Sequence, residues 1–133
     1  MRNTTMLKTK SIHTPIKKED GLRILVARYR GHRVPTSLYD VWMACLGPSE
    51  RLLKTVHEID WRDWSRSYRQ EMLGEGEHEK ENPVIRNAGQ KFTLRLIKHL
   101  AKEQNVTLLC HCPEDTEHCH RFLLRDLIES AKV

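Results

Sequence analysis

The stretch Leu22-Arg-Ile-Leu-Val-Ala-Arg28 constrains the fold most. At the period of two that a strand imposes, Leu22, Ile24 and Val26 fall on one side and Leu25 and Ala27 on the other. A strand apolar on both faces needs cover on both faces, which places it in the middle of a sheet. A second such run, Val106-Thr-Leu-Leu-Cys110, is followed closely by Phe122-Leu-Leu-Arg-Asp-Leu-Ile128, an amphipathic helix pattern. Buried strands alternating with helices specify an α/β fold, with a small, largely parallel sheet flanked by helices.

The remaining segments fit that frame. Met6 to His13 alternates weakly and reads as a strand with one wet side. Leu38 to Leu46 alternates through Tyr39, Val41, Met43 and Cys45 and reads as extended. A short helix is expected after Gly47, with Pro48 at its first position and Leu52, Leu53 and Val56 inward. Asp60 reads as an N-cap, and Trp61, Trp64, Tyr68 and Met72 then share one helical face, best explained as core. A third helix is expected from Asn82-Pro83 to about Glu103, with Ile85, Ala88, Phe92, Leu96 and Leu100 inward. Lys91, Arg95, Lys98 and Lys102 would form its outer basic stripe. The expected organisation is a flexible tail at 1–5 and a single compact domain over 6–133, with a mobile acidic loop at 74–81.

Composition excludes several classes. No run approaches the length of about 18 apolar residues that a membrane helix requires, so no membrane association is expected. The first ten residues lack an apolar core and do not read as a signal peptide, which makes the cytoplasm the expected location. In that reducing compartment, clustered cysteines point to metal or thiol chemistry rather than to disulfides. The net charge of +5 permits an anionic partner, a small molecule or a nucleic acid.

The chemistry concentrates at 110–121, just after the last strand, where open α/β sheets place their ligands. Cys110, Cys112 and Cys119 are three of the four cysteines, and His111, His118 and His120 lie among them. Asp115 or Thr116 is expected to cap the following helix, with Glu117, His118, Cys119 and His120 in its first turn and Leu123, Leu124, Leu127, Ile128 and Ala131 inward. Three readings stay open. Cys110, Cys112, Cys119 and His120 are the right donor types for zinc. Their spacing fits no common zinc pattern, and adjacent Cys119 and His120 would point about 100° apart on a helix. A cysteine at a helix start is a usable thiolate, with Cys112 or Cys119 as nucleophile and His120 as general acid or base. Arginine nine residues after Cys112 is too far for a phosphatase loop. Finally, a helix N-terminus beside Arg121, with Arg28 or Arg30 on the neighbouring strand end, makes an anion site.

Leu-Leu-Cys110-x-Cys112 followed by Cys119-His120-Arg121 and an apolar helix resembles the domain-of-unknown-function 488 family. The strand ending in Arg28, Asp40-Val-Trp-Met43, Gly47-Pro-Ser49 and Trp61-x-x-Trp64-x-x-x-Tyr68-x-x-Glu71-Met72 agree in order, so the resemblance covers Leu22 to Ala131. It implies a compact α/β domain of bacterial and archaeal type, and it supplies no activity. The matching family positions are Arg28, Ser49, Cys110, Cys119, His120 and Arg121. The Arg-Trp-Pro pattern of one branch is replaced by Arg28-Tyr29-Arg30-Gly31.

The leading expectation is an anion-binding, thiol-dependent pocket near 110–121. Arg28, Ser49, Cys110 and Arg121 would bind the ligand, and Cys112, Cys119 and His120 would carry any catalysis. No residue is assigned to a metal and no cofactor is identified. On this reading, removing Arg121 abolishes binding and spares the fold. The alternatives are a nucleic-acid-binding module using the basic face 91–102 and a zinc-stabilised interaction domain.

Overall fold

Val106–Cys110 forms the last strand, β4, and every one of its residues is buried. In the computed structural model, which describes residues 6–74 and 89–133, β4 is flanked on both sides by parallel partners. Leu7–Ser11 (β1) pairs along one edge and Leu22–Leu25 (β2) along the other, with Leu108 between Thr9 and Ile24. Val41–Trp42 (β3) closes the far side of β2, giving the order β1-β4-β2-β3 with all strands parallel. The most apolar strands are therefore the two central ones, as their two-faced patterns require. β2 is shorter than the run to Arg28, but Val26 still donates to Leu109 O at 2.9 Å.

The alternation expected of β2 is the alternation of the core. Ile24 and Val26, with Val106 and Leu108, join the larger cluster under the helices. Leu25, Ala27, Leu109 and Ile12 form a smaller cluster on the other face, covered by Val34, Leu38 and Tyr39. Three helices pack over the larger cluster: Trp61–Leu73 (α2), Lys91–Glu103 (α3) and His120–Glu129 (α4), with the short Glu50–Lys54 (α1) against α2. On α2, Trp64, Tyr68 and Met72 are buried and Trp61 packs at their edge, so the aromatic face is core. No described helix is long and apolar enough to cross a membrane.

Several local expectations are corrected. Pro48 precedes α1 rather than opening it; Ser49 is the N-cap and its Oγ accepts from Leu52 N at 3.2 Å. The extended segment 38–46 narrows to β3 followed by a 3-10 turn at Ala44–Leu46. Helix α3 begins at Lys91, just after Gly89 turns the chain with φ +69°. Its buried residues are Leu94 and Ile97, with Leu100 and Ala101 packed beside them, while Phe92 and Leu96 are 68% and 55% exposed. Lys98 leaves the outer stripe, because its Nζ donates to Ser130 O and Val133 O at 3.0 and 3.2 Å. Ala131 is exposed beyond the end of α4. The tail at 1–5, the acidic stretch 75–81, and Ile85 and Ala88 lie outside the described residues.

A buried ion pair ties the β1 edge to β2. Asp20 is 3% exposed and sits 2.9 Å from Lys10 Nζ. Burial pushes its carboxyl pKa up, but hydrogen bonds from Lys17 N–H and the Lys10 ammonium, with the charges of Lys10 and Lys8, hold it below its ordinary 3.8. A carboxylate with a lowered folded pKa stabilises fully above the unfolded value and loses that contribution as pH falls through the folded one. Asp20→Asn is expected to lose about 1–3 kcal/mol near neutral pH. Urea titrations of both proteins should converge as pH falls below 3.8 and through the lowered folded pKa; a gap independent of pH would contradict the pairing.

Candidate functional site

The period-two pattern of β4 aims Cys110 to the same side as Val106 and Leu108, toward the helices. The chain then turns through 113–118, where Thr116 N donates to Pro113 O at 3.2 Å and Thr116 Oγ1 to His118 O at 3.3 Å. Thr116 is thus spent on the turn and does not cap α4. Cys119 is the N-cap, with extended φ −152° and ψ 143°, and His120 is the first helical residue. The expected first turn of Glu117, His118 and Cys119 is therefore not helical. The difference matters, because an extended Cys119 frees its side chain from the helical angle to His120.

The result is a convergence of sulfur and nitrogen. Cys110 Sγ lies 4.0 Å from Cys112 Sγ and 3.9 Å from His120 Nδ1, and Cys119 Sγ is 3.9 Å from the same Nδ1. Cys110, Cys119 and His120 are buried, and Cys112 is half-buried at the mouth. On its far side His120 Nε2 meets Val26 O at 2.9 Å. A carbonyl only accepts, so Nε2 carries the proton and Nδ1 turns its lone pair to the sulfurs. Burial lowers the His120 pKa and keeps the ring neutral, against the hydrogen bond to Val26, which favours the charged form. Contacts with the Cys112 and Cys119 thiols pull the Cys110 thiol pKa down, and the contact with Cys110 pushes Cys112 and Cys119 up.

Arg121 lies against this cluster with no exposed surface. Its Nη1 donates to Cys112 O at 3.2 Å and approaches Cys119 Sγ at 4.0 Å, while Nη2 donates to Pro113 O at 3.1 Å and Glu114 O at 3.4 Å. The guanidinium is the clasp of the 112–114 loop. Among the described residues its Nε has no hydrogen-bond partner and the guanidinium forms no ion pair.

A family model described as "Active DUF488-N3 subclade" (DUF488-N3a) matches residues 7–132. The chain belongs to the DUF488 family. No curated protein and no solved structure matches it. Of the positions matched to the DUF488 pattern, the fold brings Cys110, Cys119, His120 and Arg121 together, with Cys112 among them. Ser49 N–H and hydroxyl both engage the Glu71 carboxylate, which joins α1 to α2. Arg28 is exposed at the end of the β2 segment.

Two contributions carried no sequence signal that named them. Val26 acts through its carbonyl, which every residue has. His111 Nε2 meets Tyr29 O at 3.1 Å, and its ring lies beside Gly31, fixing the 28–33 loop over the end of β4. The aromatic face of α2 was legible, but not its partners: Trp61 stacks on His118 at 4.6 Å, and Tyr68 meets His120 edge-on at 5.6 Å. Trp61 and His118, with His57, also line a cleft of about 640 Å³ beside the 116–118 turn.

Proposed function

We propose that the chain binds a phosphate-bearing anion on a basic rim at the carboxyl edge of its sheet, beside the cysteine cluster. The observation that carries this is the 28–33 loop. Arg28, Arg30 and Arg33 are all exposed on it, and none forms an ion pair with a described residue. Guanidinium groups held on one fixed loop suit bidentate recognition of phosphate oxygens. The loop leaves the carboxyl end of a central parallel strand, where open α/β sheets bind ligands. Arg33 adopts φ 60°, the one positive φ among described residues other than glycine, and such backbone tends to mark binding segments. His13 and His111, 6.4 Å apart, extend the rim toward β1. Arg121 serves this site from beneath, by holding the loop that carries Cys112.

Isothermal titration with inorganic pyrophosphate tests the proposal. The Arg28→Ala/Arg30→Ala/Arg33→Ala variant is expected to bind about tenfold or more weakly, since charge-assisted hydrogen bonds contribute about 1.5–3 kcal/mol each. Unchanged affinity, or no binding by the parent protein, overturns it. A loss confined to a Lys91→Ala/Arg95→Ala/Lys102→Ala variant would move the site to α3.

A second reading is thiol chemistry at Cys112, with His120 moving the proton. It is favoured by the family description, which calls the subclade active, and by Cys112 being the most accessible sulfur of the cluster. It requires thiols free of metal, which the following measurement decides.

A further inference from the structure

We infer that Cys110, Cys119 and His120 hold a zinc ion, with Cys112, whose Sγ lies 4.0 Å from Cys110 Sγ, drawn in as the fourth ligand, so that the metal staples the end of β4 to the start of α4. Tetrahedral zinc holds sulfur at about 2.3 Å and imidazole nitrogen at about 2.0–2.1 Å, so its ligand atoms stand about 3.5–3.8 Å apart. The separations Cys110–His120 and Cys119–His120, both 3.9 Å, and Cys110–Cys112, 4.0 Å, are within a few tenths of an ångström of that, and the atoms of Cys110, Cys119 and His120 all lie within 4.8 Å of one another. The sulfurs are too far apart for a disulfide, which needs about 2.05 Å. Irregular Cys-x-Cys-x6-Cys-His spacing is not an obstacle, because the convergence comes from the fold. Cys110 comes from a strand end, Cys112 from the loop, and Cys119 from an extended N-cap directly before His120.

The surroundings are those of a metal centre. His120 presents neutral Nδ1 to the sulfurs because Nε2 is pinned to Val26 O, the carbonyl partner that orients metal-bound histidines. A zinc ion with three thiolates and a neutral imidazole carries one net negative charge. The fully buried Arg121, with Nη1 at 4.0 Å from Cys119 Sγ, offsets it. A buried guanidinium requires such a counter-charge, since an uncompensated one is strongly unfavourable. Thiolate donors select zinc over hard cations, and with Cys112 as the fourth ligand no position is left open, as in structural rather than catalytic sites.

Elemental analysis of protein produced in zinc-supplemented medium and purified without chelator is expected to find about one zinc per chain. Cys112→Ser and Cys119→Ser should each lower zinc retention after dialysis by roughly tenfold or more. Cys45→Ser should retain it, because Cys45 is exposed and outside the cluster. Should the cluster variants fail to fold, cobalt(II) exchanged into the parent protein gives the answer. Thiolate charge-transfer and tetrahedral ligand-field bands support the site. Folded, zinc-free protein without those bands overturns it, as does zinc retained by Cys119→Ser. Neither result bears on pyrophosphate binding, so the two proposals fail separately.

Discussion

Arg121→Ala is expected to destabilise the domain by about 3–5 kcal/mol, the range for removing one member of a buried charged network. The guanidinium donates to the carbonyl oxygens of Cys112, Pro113 and Glu114 at 3.1–3.4 Å, and of these only Pro113 O has a second donor among the hydrogen bonds of the described residues, Thr116 N at 3.2 Å. Its loss leaves the Cys112 and Glu114 carbonyls without this donor and releases the loop that presents Cys112. It also removes the cation stacked 4.8 Å from the Phe122 ring and 4.0 Å from Cys119 Sγ. Arg121→Lys should recover only a part, because an ammonium cannot reach three carbonyls in the plane that a guanidinium spans. Urea denaturation followed by far-UV circular dichroism measures both. A midpoint for Arg121→Ala within about 0.5 kcal/mol of the parent would mean that the clasp is dispensable. The result also separates two roles for this arginine. An arginine kept for ligand contact would lose binding and spare the fold; one with no exposed atom is expected to do the reverse.

That reversal shows where sequence reasoning reaches its limit. Arg121 was recognisable as important from its place after Cys119-His120, but its charge suggested a ligand. The burial of its guanidinium is what points to a structural role. The strands were legible because a period of two assigns every residue a side, and Ile24, Leu25, Val26 and Ala27 lie on the sides their order dictates. Helix α3 was less so. Phe92, Leu96 and Leu100 fit a three-and-four spacing as well as Leu94, Ile97 and Ala101 do, and apolar character alone cannot choose between overlapping arcs. The start of α4 was hidden for another reason. Asp115 and Thr116 are good capping types, but such side chains equally close local turns, and Thr116 does that here. The resulting shift to Cys119 decides whether adjacent Cys119 and His120 diverge on a helix or converge on one point. The cysteine- and histidine-rich stretch was evident from composition; the convergence depends on the backbone of one residue and the carbonyl of another, neither of which side-chain identity reports.

Gly21→Ala is expected to be as damaging as any change at the cysteine cluster, from the opposite end of the sheet. Gly21 turns the chain into β2 with φ 64° and ψ −134°, a region open to glycine and costly for other residues. An added Cβ would stand 2.0 Å from Asn105 O and 2.6 Å from its carbonyl carbon. Neither side can yield easily. Asn105 O accepts from Leu22 N at 2.9 Å, its side-chain Oδ1 accepts from Met6 N at 2.9 Å, and Val106 begins β4 immediately after it. Backbone strain of about 1–3 kcal/mol and a backbone clash of about 1–3 kcal/mol together threaten a domain whose whole stability is about 5–15 kcal/mol. Thermal unfolding of Gly21→Ala should show a sharply lowered Tm or no cooperative transition. A Tm near that of the parent would mean that the β2–β4 entry can re-form around a methyl group. The position also separates stability from site chemistry. Gly21 lies at the amino end of β2, the cluster at the carboxyl end of β4, and Leu22 pairs with Val106 at the start of the ladder that joins them. Molecules of the variant that remain folded should therefore hold zinc in the parent ratio, because the donor atoms are set by Cys110, the 112–114 loop and the start of α4. Arg121→Ala disturbs the same centre directly, so comparing zinc content per folded molecule in the two variants distinguishes damage to the sheet from damage to the site.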